Sequence, residues 1–399
     1  MKITVLGAGA IGSAIAHDLI HRDAVSEVQV CDAHSRALKM LHKKIQDAKL
    51  QSFQIDARDV DALRPILEGS ACVIGCVSPQ LNPSLAALSL SMGVHFCDLG
   101  GNDDIVKKEL ALDEQAREQG VWIVPNCGLS PGLVNILCVL GLSQFDEVEA
   151  AHIRVGNVPL HPKPPFNFRV AWSARKLIDD YTNPVHMIEH GKRIECTPLS
   201  GLESLSFPEP FGQMEAFYTA GSLSSLSTTL EDKVHSLDHK TIRWPGHASQ
   251  MQFLLGLGFG EARSIDVRTH LTYQDLLIRR MTQRLGGDHQ DAVLLRVLVR
   301  GLQGGKKATL VYEMIDQFDQ KRDLSAMKRC TSIPTATVAI MLAAGQAQGS
   351  GAAPPEQVVP KAMYCALLAE RGLEIGARWL DGYVDVRDTD MPMPGNESI

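Results

Sequence analysis

Three features of this 399-residue chain predict an α/β protein: a doubly wound parallel sheet followed by a mixed α+β domain. A glycine-rich turn joins the first apolar run to the first helical run. Six apolar, β-branched segments then alternate with helical ones up to residue 124. Beyond residue 132 that alternation gives way to strands joined by hairpin turns.

The opening segment organises the first domain. Ile3, Val5 and Leu6 read as a strand buried on both faces. Gly7, Gly9 and Gly12 follow in the spacing G-x-G-x-x-G, with Ala10 and Ile11 inside it, and Ala14, Ile15, Ala16, Leu19 and Ile20 continue at helical spacing. In a dinucleotide site the first glycine makes the tight turn, the second lets the backbone approach the pyrophosphate, and the third lets helix and strand pack closely. The free amides and positive end of the helix then face the phosphates. The second strand ends at Asp32, twenty residues beyond Gly12, where a carboxylate accepts hydrogen bonds from the adenosine ribose. Asp32 would repel a 2′-phosphate and no arginine follows until Arg36, so NAD is expected rather than NADP. Asp56, beyond the third strand, joins the expected cofactor-binding set.

The pattern continues as helix 36–46, strand 52–55, helix 60–67, strand 72–76, helix 84–92, strand 95–97, helix 104–119 and strand 121–124. Ligands of such sheets lie outside the carboxyl ends of the strands, at the switch point. The fourth strand exits through Cys76, Val77 and Ser78, a loop suited to the nicotinamide ribose. The fifth exits into Asp98, Gly100, Gly101 and Asn102, and the sixth into Asn126 and Cys127 before Ser130 and Pro131. Ser130, with Pro131 at the first helical position, is expected to cap the next helix. Asp98 is equally placed to cap a helix or to do chemistry.

The second domain is expected to begin with helix 133–142 and to hold strands 148–158, 187–196 (turning at 190–192), 240–243, 292–299 and 308–315. Helices 173–181, 246–257 and 273–284 would cover one face, and the proline-rich stretch 159–165 would rim the cleft. Helices 333–344 and 359–370 follow. The expected domains are 1–131, 132–332 and a returning helical part 333–386, with a disordered tail 387–399. Two polar clusters stand out. Tyr218, Thr219, Gly221 and Ser222 place a glycine among hydroxyls and amides, as a carboxylate ligand requires. Arg243 and His247 flank a strand-to-helix turn, the first able to grip a carboxylate with two hydrogen bonds, the second favoured as neutral imidazole at a helix start. The plainer alternative is a solvated hydroxyl loop beside a surface arginine.

A net charge of −7 with no long basic run argues against nucleic acid or an anionic membrane as partner. No apolar segment is long enough to span a bilayer, and a strand beginning at residue 2 leaves no room for a cleavable leader. The nine cysteines include no C-x-x-C pair and read as buried small side chains in a reducing cytoplasm, with Cys76 and Cys127 the ones placed for redox or nucleophilic work. The pairs His17/His21, His186/His190 and His235/His239 lack a third ligand, so no metal is expected. A homodimer or larger homo-oligomer is expected from common symmetry.

On these motifs the chain resembles the saccharopine dehydrogenase family, and most closely its lysine 6-dehydrogenases. The resemblance runs from Lys2 to about Glu370 through GAGAIG, GVHFCDLGG, PNCGLSPGLVNIL, FDEVE, VGNVP, EAFYTAGSLSSLS, KTIRWPGH and PPEQVVP. It implies a Rossmann domain, an inserted substrate domain, and C-terminal helices returning to the first domain. The implied activity is NAD-dependent oxidative deamination of the lysine ε-amine, whose aldehyde product cyclises to piperideine-6-carboxylate. Asp98 is then the proton acceptor or water-orienting group, with His247 the runner-up. Arg243 and the group around Thr219–Ser222 would hold the α-carboxylate, and closure of the two domains would exclude water. The chain departs from those dehydrogenases at Asn126 (usually Asp), Asn102 (usually His) and Tyr218 (often His), which opens the substrate to another amino acid or a secondary amine. Two alternatives are a reductase coupling an amine to an aldehyde, like saccharopine reductase or carboxynorspermidine synthase, and a non-catalytic NAD sensor.

Overall fold

The computed structural model describes residues 1–171, 173–287 and 290–388, so nearly all of the expected tail lies outside the described residues. The chain forms two compact units, one of residues 1–137 and 328–373, the other of residues 138–327 and the chain from Glu374 on.

In the first unit, β1 (Lys2–Leu6), β2 (Glu27–Asp32), β3 (Leu50–Gln54), β4 (Cys72–Gly75), β5 (His95–Asp98) and β6 (Trp122–Val124) form a parallel sheet in the order β6-β5-β4-β1-β2-β3. A further two-residue strand, Gly351–Ala352, extends the β6 edge in parallel. Ile3, Val5 and Leu6 have no exposed surface, as a central strand covered by helices on both sides requires. The crossovers are α1 (Ala10–Ile20), α2 (Ser35–Lys44), α3 (Val60–Leu67), α4 (Asn82–Ser91), α5 (Asp103–Leu110) and α6 (Asp113–Gln119). The single helix expected over 104–119 is therefore two. The break sets the Asp113 carboxylate on the Ala352 amide, 2.9 Å away, so the interruption serves the added strand. β1 lies between β4 and β2, which puts the switch point at the carboxyl ends of β1 and β4.

The second unit is a nine-stranded sheet. Its strands are β7 (Glu147–Pro159), β8 (Val185–Glu189), β9 (Lys192–Cys196), β10 (Glu203–Phe207), β11 (Gly212–Tyr218), β12 (Ser236–Arg243), β13 (Asp291–Gln303), β14 (Lys306–Gln317) and Gly376–Asp381. The main path runs β10-β11-β12-β7-β13-β14 and then Gly376–Asp381, with β8 beside β12 and β9. The hairpin at 190–192 is present. The β7–β12 pair is parallel, which makes the sheet mixed, because a long crossover separates the two strands. Residues 376–381 form a strand on β14, where a helical return to the first domain had been expected.

Helices Ala174–Thr182, His247–Gly256 and Tyr273–Leu285 pack Leu177, Ile178, Tyr181, Met251 and Leu277 against Phe217 on one side of this sheet. The other side carries Leu205, Met214, Ile242, Leu294 and Val311. Beside that second core lies a buried ionic group. The Arg154 guanidinium donates to both Asp238 oxygens at 3.0 Å and also to Glu203, and Lys240 Nζ reaches Glu203 at 2.6 Å. His152 Nδ1 stands 2.6 Å from Asp238. So complete a set of partners is what makes buried charge tolerable.

Candidate active site

The three glycines of the opening turn divide their labour as stereochemistry demands. Gly7 has φ +107°, a conformation open to glycine, and a Cβ there would sit 2.4 Å from the Cys76 carbonyl oxygen. A Cβ on Gly12 would lie 1.9 Å from the Gly7 carbonyl oxygen, so α1 crosses β1 in direct backbone contact. At Gly9 a Cβ would meet nothing within 4 Å. Gly9 and Ala10 are exposed, Ile11 is half-buried, and the backbone beside them faces open space at the helix start. That arrangement fits a pyrophosphate lying on Gly9. Asp32 closes the turn from the side: Oδ2 accepts from the Ala8 amide at 2.8 Å and Oδ1 from the His34 amide at 2.7 Å. Oδ1 also stands 3.2 Å from His34 Nδ1, while Oδ2 keeps a second lone pair for a ribose hydroxyl. Asp56 behaves differently. It is gripped by Arg58, whose Nη2 donates to Oδ2 at 2.6 Å, and that hydrogen bond lowers its carboxyl to about 2.

The strand-exit loops bring together some of the expected residues. The Cys76 amide donates to Leu6 O at 2.8 Å, tying the β4 exit to the β1 exit beside the Gly7 turn. Val77 and exposed Ser78 follow, the Ser78 hydroxyl donating to Gln80. Burial pushes the Cys76 and Cys127 thiols well above the ordinary range, which favours the expected packing role over nucleophilic work. Asp98 has no exposed surface. Its Oδ1 accepts from the Gly100 amide at 2.6 Å and the Asn126 amide at 3.3 Å, and its backbone oxygen accepts from the Cys127 amide. So enclosed, Asp98 anchors two loops. Asn102 caps α5, accepting from the Ile105 amide at 3.0 Å. Asn126 is 1% exposed at φ +66°, with its carboxamide against Gly100. Glu109, missed from sequence, is fully buried on α5. The signal was present: Glu109 shares the buried stripe of α5 with Ile105 and Val106.

In the second unit Arg243, Thr219 and His247 lie on the helix-covered side of the sheet. Arg243 Nε donates to the Tyr181 hydroxyl at 3.3 Å, and that hydroxyl stands 3.0 Å from His247 Nε2. The Tyr181 hydroxyl has both a proton to give and a lone pair to accept with, so the direction of its bond to His247 follows the imidazole tautomer. The histidine packs 4.7 Å from the Phe168 ring and 6.1 Å from Phe217, and burial lowers it to about 3. His247 is thus a neutral, 1% exposed member of an aromatic cluster, which corrects the expectation of an acid–base group open to substrate. Thr219 Oγ1 meets Thr241 Oγ1 at 2.7 Å. Gly221 (φ +93°) lies over Lys176 Nζ, which pairs with Asp180 at 2.7 Å. Burial raises Asp180 to about 6 against the pull of Lys176. Ser222 is buried next to it in the chain. Tyr218 is not part of this group. Side-chain alternation turns it to the opposite face, where Lys240 Nζ lies 4.7 Å over its ring and its hydroxyl reaches Asp238 at 3.5 Å.

Among the described residues no group of three or more His, Cys, Asp or Glu side chains is arranged to hold a metal ion. No helix of theirs is long and apolar enough to cross a membrane.

Comparison with known proteins adds the following. The model of the saccharopine dehydrogenase NADP binding domain matches residues 3–124, and that of the saccharopine dehydrogenase C-terminal domain matches residues 128–373. The chain is 22% identical over 216 residues to carboxyaminopropylagmatine dehydrogenase of Synechocystis sp., covering 52% of this chain and 54% of that protein. It is 21% identical over 268 residues to the mitochondrial alpha-aminoadipic semialdehyde synthase of Mus musculus, covering 64% of this chain and 28% of that protein. The match thus spans about half, or less, of these relatives' length. Apo saccharopine dehydrogenase (L-Glu forming) from Saccharomyces cerevisiae superposes with a TM-score of 0.77 at 14% identity, over 95% of this chain and 99% of that one. Homospermidine synthase from Legionella pneumophila, solved with NAD, gives 0.66 at 14% identity over 99% and 95%. Both share the fold.

Proposed function

The chain belongs to the saccharopine dehydrogenase family, a family of nicotinamide-dinucleotide oxidoreductases, and from that premise we propose that it is an NAD-dependent amino-acid dehydrogenase acting at a C–N bond. The substrate of first choice is the ε-amine of L-lysine, oxidised to the aldehyde with release of ammonia. The observation that carries the cofactor half is the open face at Gly9 between two glycines that tolerate no side chain. Asp32, pinned by the Ala8 amide, supports NAD over NADP, since its charge opposes a 2′-phosphate.

When bound, the nicotinamide ring supplies the hydride acceptor. The chain's residues do the rest. The amides at Gly9, Ala10 and Ile11 receive phosphate, and Asp32 orients the ribose. Cys76, Val77 and Ser78 line the ring's side of the β4 exit, and Asp98 holds the Gly100 and Asn126 backbones in place. Arg243, Thr219, Gly221 and Ser222 are the proposed α-carboxylate group, with Asp180 beside them as the carboxylate able to face an ammonium.

A second reading is favoured by Asn102 and Asn126, both neutral where the resembled lysine dehydrogenases carry ionisable groups. It takes a secondary amine as substrate, formed by reductive coupling of an amine and an aldehyde. The relative named for carboxyaminopropylagmatine supports it. NADH absorbance at alkaline pH decides between the readings. Ammonia released from lysine establishes deamination. Turnover confined to an aldehyde plus an amine with reduced cofactor establishes coupling. Tight NAD binding without either reaction refutes the enzyme reading in favour of a sensor.

A further inference from the structure

Asp32 ends β2, and only two residues separate it from α2. The second of these, His34, reaches back to it twice. Its amide donates to Asp32 Oδ1 at 2.7 Å, and its imidazole returns to the same oxygen, with Nδ1 3.2 Å away. The two contacts occupy both lone pairs of Oδ1, so a ribose hydroxyl gains that oxygen only when the imidazole leaves. The imidazole is 85% exposed and the carboxylate 15%, so the contact lies where solvent and cofactor both have access. Although His34 immediately precedes α2, its side chain makes no capping bond to that helix.

The neighbouring elements supply the remaining charge. The Ile55 amide donates to the Asp32 carbonyl oxygen at 3.1 Å, and Gln54 Nε2 to the Ala33 carbonyl oxygen at 3.3 Å. These bonds set the β3 exit against the turn and bring the Asp56–Arg58 pair alongside, closed on itself at 2.6 Å. Arg36 is exposed in the first turn of α2. The glycine turn, residues 7–14, adds no charged side chain. Arg58 answers Asp56, which leaves His34 as the ion-pair partner of Asp32 among the described residues.

We propose that His34 is a specificity-determining residue for the cofactor: its imidazole competes with the ribose for Asp32 Oδ1 and, when protonated, masks the charge that opposes a 2′-phosphate. The inference rests on the dinucleotide reading above. Histidine is the side chain that changes charge between pH 5 and 8. A neutral imidazole holds Oδ1 only in the tautomer with its proton on Nδ1, and an exposed ring swings away at little cost. The imidazolium donates from both nitrogens and pairs with the carboxylate through a charge-assisted bond. Acid therefore acts on the two cofactors in opposite senses. NAD has to displace a stronger competitor, whereas NADP meets a cation in place of a bare carboxylate. Selection of NAD is sharpest with the imidazole neutral and relaxes as it takes up a proton.

Titration calorimetry of the full chain with NAD and with NADP, at pH 8 and pH 6, tests this on the wild type, His34→Ala and His34→Gln. Neither substitution removes a capping bond, and the two together guard against a folding defect peculiar to one. A phosphate monoester itself takes up a proton at about pH 6, in all three proteins alike, so the readout is the difference between wild type and variants. Between pH 8 and pH 6 the wild type should lose about threefold in NAD affinity and gain about threefold in NADP affinity relative to either variant, the scale of an exposed ion pair. Its ratio of NADP to NAD dissociation constants should accordingly fall about tenfold further than theirs. A ratio that moves by the same factor in all three proteins overturns this inference and leaves the dinucleotide reading standing. Binding of neither dinucleotide by any of them overturns both.

Discussion

Replacing Gly9 and Gly12 by alanine, one at a time, separates the fold of the opening turn from its function. Gly9 adopts φ −68° and ψ −171°, which any residue accepts, and its new methyl would meet no protein atom within 4 Å. Gly9→Ala should therefore shift stability by no more than about 0.5 kcal/mol, as an unconstrained surface change does. The same methyl occupies the space proposed for the pyrophosphate, so NAD affinity should fall at least about 100-fold, or about 2.8 kcal/mol. Gly12→Ala sets its methyl 1.9 Å from the Gly7 carbonyl oxygen. That contact is backbone on backbone and relaxes only by moving α1 off β1, at a cost of about 1–3 kcal/mol or more. Thermal scanning and titration calorimetry with NAD should thus show opposite profiles, a stable non-binder and a destabilised variant. The reasoning is refuted if Gly9→Ala binds NAD like the wild type, or melts as early as Gly12→Ala.

Other consequences are equally open to measurement. Asp32→Ser should weaken NAD by about tenfold and narrow or reverse the preference over NADP in paired titrations, because the charge that opposes a 2′-phosphate is gone. Tyr181→Phe removes the hydroxyl shared by Arg243 and His247 and should cost about 1–3 kcal/mol in urea unfolding, the penalty for buried polar atoms that lose a hydrogen bond. Asp238→Asn should cost about 3–5 kcal/mol by leaving Arg154 short of a counterion. Burial works against the Asp238 carboxylate, but Arg154 and His152 outweigh it and hold the group well below its usual range. Its stabilisation is therefore present above the unfolded value near pH 4 and disappears as pH falls. The gap between Asp238→Asn and wild type should close in acid titrations.

Local signals in the sequence sufficed for the first unit. The glycine spacing, the strand ending at Asp32 and the six alternating segments all fall where the sheet has them, because parallel strands buried on both faces are written as continuous apolar runs. The second unit was read less well. Strands β10 and β11 were not expected as such, and Tyr218 was grouped with Thr219, Gly221 and Ser222 because a motif of consecutive residues hides the alternation of a strand. His247 and Arg243 carried the right polarity for a site, but nothing local foretells Tyr181 arriving between them from sixty-odd positions away. Glu109 looks like an ordinary helix carboxylate among Lys107 and Lys108 until its phase is compared with Ile105 and Val106. Asp98 drew attention for its chemistry, and its two backbone amides give it an architectural task instead.

The first unit is sewn from two separated lengths of chain. Arg371 closes on Asp18 at 3.0 Å and on Thr337 at 2.9 Å, and Gly351–Ala352 finishes the edge of β6. During synthesis residues 1–137 leave the ribosome first and must wait until 138–327 have been translated before 328–373 can join them. At ordinary translation rates that delay is roughly ten to forty seconds. For that interval Asp18 on the dinucleotide helix keeps only the longer pairing with Arg22, at 3.6 Å, and the nascent sheet has an uncovered border. A nascent chain arrested before residue 328 should therefore recruit chaperones and fail to retain NAD, however complete its glycine turn.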